Sequence, residues 1–172
     1  MRTSGRVLRI LRRLLDRERR ETVERWSRSL PTGEYFNDRW KRAETLGFGD
    51  GASIYDSSVV LGDVKVGSHT WIGPFVVLDG SGGLRIGRNC SISAGVQIYT
   101  HNTVRWATSG GRNDFERAPT VVGSNVYVGP NSVIAMGVTI GDGAVIGANS
   151  FVNADIPANC RAWGNPCQIQ SG

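Results

Sequence analysis

The chain is poor in the residues that build most catalytic or stapled sites. Its 172 residues include only two histidines and three cysteines, and aromatics make up 8%. Two histidines, His69 and His101, cannot supply the three imidazole ligands of a typical catalytic zinc site within one chain, so no metal is expected. Cys90, Cys160 and Cys167 are odd in number and lack metal-type spacing, which argues against a disulfide framework and for a reducing, cytoplasmic setting. No apolar run is long enough to span a bilayer, because arginine breaks the one leucine-rich stretch every two or three residues. With few aromatics, the interior has to be filled by aliphatic side chains.

Those aliphatics are abundant and periodic. Large ones fall six apart at Ile54, Val60, Val66, Ile72 and Leu78. After two extra residues the series resumes at Ile86, Ile92 and Ile98. After a long break it continues at Val122, Val128, Ile134, Ile140, Ile146 and Val152. All fourteen are Ile, Val or Leu, and the next residue is usually Gly, Ser or Ala. Period six suits a short strand followed by a turn that wants Gly or Asn. Three such units close a triangular coil, which buries its aliphatics only by stacking on the next. The reading is an all-β solenoid of a little under five coils, roughly 22 Å long at a strand spacing of about 4.8 Å. The two added residues at Ser81–Gly83 read as a corner bulge with no further role.

Flanking segments differ. Residues 1–42 hold 13 Lys/Arg against 6 Asp/Glu, whereas the other 130 residues net −2. Val7, Leu8, Leu11, Leu14 and Leu15 recur at helical spacing among arginines, predicting a basic amphipathic helix that ends at Pro31–Gly33. A second helical turn or two is expected over Asn37–Leu46. Packing on the solenoid or on another subunit is one reading of the basic helix; peripheral contact with anionic lipid through residues 6–20 is another. Nucleic acid is not expected, for the solenoid offers no basic groove or aromatic platform. The organisation is thus a basic helical segment (1–50), a hexapeptide solenoid with a protruding loop at 101–120 (51–160), and a C-terminal cap that folds back over the last coil (161–172).

The break is where a site is expected, since loops on a repetitive scaffold carry specificity. It opens on His101, a candidate general base. A neutral imidazole can take a proton near neutrality, a role worth roughly 10²–10⁴-fold in rate. Asp79, Asp114, Glu116 or a backbone carbonyl are the partners that could orient it. His69 sits at a regular repeat position and reads as solvated or as a subunit contact. Trp106 and Tyr127 are the aromatics with flat rings suited to a sugar face.

The run Val122-Gly-Ser-Asn-Val-Tyr-Val-Gly-Pro-Asn-Ser-Val-Ile-Ala-Met-Gly-Val-Thr-Ile-Gly-Asp-Gly-Ala-Val-Ile-Gly-Ala-Asn-Ser150, with Asp155-Ile-Pro and Gly164-Asn-Pro166, resembles the bacterial hexapeptide-repeat acyltransferases. Within them it is similar to the maltose/galactoside O-acetyltransferases and the sugar acetyltransferases of lipopolysaccharide and capsule synthesis. The resemblance covers about residues 50–170. It implies a left-handed parallel β-helix with an N-terminal α-helical segment, a homotrimer with sites between subunits, and acetyl-CoA as donor. It implies His101 as the catalytic base, with Tyr99, Asn102, Trp106, Asp79 and Tyr127 near a saccharide acceptor. Gly129, Ala135, Ala148 and Asn153 would line the donor channel, with Arg161 and Pro166 towards its nucleotide end. Gly73 stands where the maltose/galactoside enzymes carry a polar amide, a departure at the acceptor side. The expected activity is acetyl transfer to a saccharide hydroxyl. N-acetylation of a nucleotide-linked amino sugar and a non-catalytic assembly solenoid are the alternatives. A metal-dependent hydratase of the γ-carbonic anhydrase type would share the scaffold but need a third histidine.

Overall fold

The computed structural model describes residues 2–170, which divide into two compact units, one ending at Asp38 and one beginning at Arg39. In the first, helix α1 (Arg2–Trp26) is followed by a 3-10 turn at Thr32–Tyr35. The helix stops short of Pro31, because Ser27 turns left-handed (φ 51°) while its N–H still bonds Val23 O. Leu30 N–H then donates to Tyr35 Oη at 2.8 Å, which fixes the chain leaving the helix.

The second unit begins with helix α2 (Arg39–Thr45) and continues as a parallel solenoid. One face stacks Ser53–Ile54, Trp71–Ile72, Ser91–Ile92, Tyr127–Val128, Val145–Ile146 and Arg161–Trp163 in parallel register. That is six rungs, more than the repeat count suggested. The last uses Ala162, fully buried, where the pattern had lost its large aliphatic. Two further faces are joined by the long strands Val59–Val66 and Val77–Ile86, which run around a corner without a break. Val77–Ile86 pairs with Gln97–Ile98 through its first half and with Thr120–Val122 through its second.

All the inward aliphatics from Ile72 to Val152 are buried, most of them completely. Their removal from water is the main driving term, at ~25 cal/mol per Å² of apolar surface. The turns follow the same six-residue beat. Asn125, Asn131, Gly137, Gly143 and Asn149 all have positive φ, a conformation Gly and Asn accept most readily. Both ends are covered. At the start, Ala43 of α2 and Phe48 are buried in the core cluster, and the Arg42 guanidinium bonds Tyr55 O and, at 2.7 Å, Ser58 O. At the finish, Gln168–Ile169 turns back and pairs antiparallel with Arg161–Trp163, so the terminal rung is not left open. Among the described residues no helix is long and apolar enough to cross a membrane.

Candidate active site

The site grows out of the two irregularities in the repeat. The first is the insertion after Asp79. Leu78 pairs with Ile98, so Asp79 stands beside Tyr99 at the end of the same face. There the chain does not make an ordinary corner. Gly82 runs so close to the next rung that a Cβ would stand 2.4 Å from Thr100 O, which is why the inserted residues include glycine. This approach lets Ser81 wrap its own neighbour: its N–H (3.1 Å) and hydroxyl (2.5 Å) both donate to Asp79 Oδ1. The insertion thus does more than bulge a corner. It builds half of a carboxylate cradle.

Thr100 builds the other half. Its N–H donates to Asp79 Oδ2 at 2.9 Å, and its hydroxyl donates to Asp79 O at 2.8 Å while accepting from Gly82 N–H. His101 completes the ring of donors, with Nδ1 2.6 Å from Asp79 Oδ2. Asp79 is fully buried. Burial alone would raise its carboxyl pKa, but the bonds from Ser81, Thr100 and His101 outweigh that and hold it well below its ordinary 3.8. An ionised Oδ2 accepts, so Nδ1 carries a proton, which fixes the tautomer of the ring in its uncharged form. The lone pair is then on Nε2.

That ring is about one-third exposed and faces a cleft of about 330 Å³ lined by Tyr99, His101, Asn102, Thr103, Val133, Ala135, Met136 and Phe151. Tyr99 stands edge-on to His101 (centroids 6.3 Å) and its hydroxyl donates to Gln97 Oε1 at 2.7 Å. The second irregularity, the long loop, starts on the histidine itself. His101–Asn102 pairs antiparallel with Glu116–Arg117, and helix α3 (Val104–Thr108) sits between, its first N–H held by Asn102 Oδ1 at 2.7 Å.

The expected site residues fall into distinct places. Tyr99, His101, Asn102, Ala135 and the orienting Asp79 come together, with Asn153 one rung beyond Ala135 on the same corner. Asp79 itself is turned inward under His101 and does not line the cleft. Of the other proposed partners, Glu116 bonds Arg105 instead (3.3 Å) and Asp114 is exposed in the loop. Trp106 packs edge-to-face on Phe115 (5.5 Å) within the loop and does not line the cleft. Tyr127 and Arg161 project from the first face, and Gly129 and Ala148 lie at the turn entering the second, where a Cβ on Gly129 would meet Ala148 N at 2.5 Å. Pro166 lies in the C-terminal turn, after a cis peptide bond. Sequence reasoning missed Ser81, Thr100 and Thr103, and also Val133, Met136 and Phe151. Of the last three, Val133 and Phe151 occupy outward positions beside inward aliphatics and Met136 lies in the turn after Ala135, so counting rungs from Tyr99 would have found them. Among the described residues no cluster of three or more His, Cys, Asp or Glu could hold a metal ion.

A left-handed parallel β-helix of six-residue repeats, carrying a His–Asp pair where a rung opens into a loop, defines a class of protein. The chain carries hexapeptide repeats that match two family models. The bacterial transferase hexapeptide model (six repeats) matches residues 119–154, and the hexapeptide repeat of succinyl-transferase matches 63–100. The galactoside O-acetyltransferase of Escherichia coli K12 is 32% identical over 124 residues, covering 60% of this chain; the chain spans 61% of that relative's length. The hexapeptide-repeat acetyltransferase VCA0836 of Vibrio cholerae O1 biovar eltor, solved with acetyl coenzyme A, superposes with a TM-score of 0.68 at 28% identity, over 95% of this chain and 87% of that one. AntD, an N-acyltransferase of Bacillus cereus solved with dTDP and 3-hydroxybutyryl-CoA, gives 0.66 at 21% identity, over 73% and 71% of the two chains. At that identity the likeness is one of fold.

Proposed function

We propose that the protein is an acetyl-CoA-dependent O-acetyltransferase acting on a saccharide hydroxyl, with His101 as general base and Asp79 as its positioning residue. The observation that carries this is the 2.6 Å contact from Nδ1 to a buried, ionised carboxylate, on a ring that lines the cleft. It supplies what an alcohol nucleophile needs. The acceptor O–H gives its proton to Nε2 as the oxygen bonds to the thioester carbonyl carbon. The tetrahedral oxyanion then collapses, the C–S bond breaks, and the imidazolium proton passes to the departing thiolate. The products are an acetyl ester and the free thiol of coenzyme A, with no acetyl-enzyme between. Asp79 holds the ring in the correct tautomer and stabilises the imidazolium.

The residues carried over by the family resemblance fall in two groups on one protomer, Tyr99, His101, Asn102, Ala135 and Asn153 at one corner and Tyr127, Gly129 and Ala148 towards the other, separated by the width of the Val133–Ile134 face. That separation supports a homotrimer in which each site draws Tyr99, Asn102 and His101 from one subunit and the Tyr127–Gly129–Ala148 side from its neighbour. Three free thiols suit a cytoplasmic enzyme, where acetyl-CoA is made. An envelope or capsule saccharide is the acceptor we favour.

The test is thiol release from acetyl-CoA by the full chain across a panel of sugars, nucleotide-sugars and amines. A saccharide hydroxyl is expected to give turnover that His101→Ala lowers roughly 10²–10⁴-fold. Ping-pong kinetics would exclude direct transfer, and turnover with amines alone would replace the O-acetyl reading by an N-acetyl one. A monomeric particle would remove the inter-subunit site.

A further inference from the structure

We infer that the first half of α1 seats the protein on an anionic phospholipid surface. Residues 6–15 hold apolar side chains at 7, 8, 10, 11, 14 and 15 and arginines at 6, 9, 12 and 13, with no carboxylate before Asp16. At 3.6 residues per turn, Val7, Leu11 and Leu14 share one face, Ile10 and Leu15 flank it, and Arg9 and Arg13 stand opposite. Arg6 and Arg12 fall at its two borders. The apolar face is uncovered: Val7, Leu8, Ile10, Leu11 and Leu14 are each between 43% and 54% exposed.

The arginines are uncovered too. Among the described residues no ion pair reaches Arg6, Arg9, Arg12 or Arg13; those of the helix begin with Asp16–Arg19 and with Arg17 to Glu18 and Glu21. An apolar stripe bordered by unpaired guanidinium groups matches the boundary between acyl chains and anionic headgroups. The stripe enters the hydrocarbon and the bordering arginines reach the phosphates. A second copy of this chain is a poorer match, since residues 43–172 carry a net charge of only −2. The contact stops at Leu15, because Glu18 and Glu21 fall on the same side of the second half. Ten residues lie in the surface without crossing it, which makes the attachment reversible.

The experiment is sedimentation of the full chain with vesicles of phosphatidylglycerol and phosphatidylcholine, and with vesicles of phosphatidylcholine alone. Particle mass is measured in parallel. Strong partitioning onto the anionic vesicles, weak partitioning onto the neutral ones and release by high salt are expected. Arg6→Gln with Arg12→Gln, at the two borders of the apolar face, should lower the partition coefficient about thirtyfold. Leu11→Asp with Leu14→Asp should lower it at least about a hundredfold, with particle mass unchanged. Absence of wild-type binding overturns the inference, as does binding that both double variants retain. A smaller particle for the Leu11/Leu14 variant would show that another copy covers this face, and would overturn it equally.

Discussion

Asp79→Asn is the sharpest probe of the site, because the carboxylate accepts from both sides and an amide cannot. Oδ1 receives Ser81 N–H and Ser81 Oγ–H, whereas Oδ2 receives Thr100 N–H and His101 Nδ1. Whichever way the amide turns, its NH₂ meets a backbone N–H that cannot reverse its role. If the NH₂ faces Thr100, it also faces His101 and donates to Nδ1. The proton then moves to Nε2 and the base is lost. If it faces Ser81, the tautomer survives but Ser81 N–H is stranded and the imidazolium loses its counter-charge. The first orientation removes general-base help worth roughly 10²–10⁴-fold, or ~3–5 kcal/mol of barrier. Either leaves a buried donor without an acceptor, which lowers stability by about 1–3 kcal/mol. Thiol release measured against pH separates the two effects. With the base gone, the residual rate should climb with hydroxide instead of levelling, a signature that simple loosening of the fold would not give. A variant whose kcat stays within about threefold of the parent, with an unchanged pH profile, would refute the orienting role.

The same carboxylate sets an acid limit on stability. Its folded pKa lies below its ordinary 3.8, so its contribution is complete above about pH 4 and is lost as pH falls through the folded value. Melting temperature followed from about pH 6 to 2 should show that loss in the parent and a flatter curve in Asp79→Asn. At the alkaline end the sign reverses. Burial raises the Cys90 thiol above its ordinary 9.0, so stability present below that pH declines as the unfolded chain ionises first. Cys90→Val should remove most of that decline, and an unchanged alkaline slope would show that the thiol is not its source. Gly87→Ala tests the stacking distance. Its Cβ would stand 2.6 Å from the Gly123 carbonyl on the next rung, so a loss of about 1–3 kcal/mol in denaturant unfolding is expected, and none would mean the rungs can part.

Most of the scaffold was legible because the period is enforced by packing. Inward positions from Ile72 to Ile146 lie between rungs above and below, so only an aliphatic fits, and the repeat prints itself on the sequence. The sixth rung escaped notice because Ala162, in a segment stiffened by the returning strand, fills its space without following the pattern. At the site, His101 was legible from its place at the break. Its pairing with Asp79 was only one of several options, since the partner lies a full coil away and the register depends on the two inserted residues. Ser81 and Thr100 stayed hidden for a different reason. Serine and threonine recur at many corners, and only the close pass of Gly82 turns these two inward onto one carboxylate. Trp106 and Tyr127 attracted attention as aromatics, yet rung counting already sets Tyr127 on a different face from Tyr99.

A stacked coil melts as a ladder does, by fraying at its ends, and here the rung bearing His101 is an interior one, with the Val77 rung on one side and the Val133 rung on the other. Terminal breathing can open the Arg42 clasp or the Gln168–Ile169 return strand without disturbing the His101–Asp79 pair. In exchange with deuterated water, the Thr100 amide, locked to a carboxylate at the heart of the ladder, should therefore be among the last to trade its hydrogen.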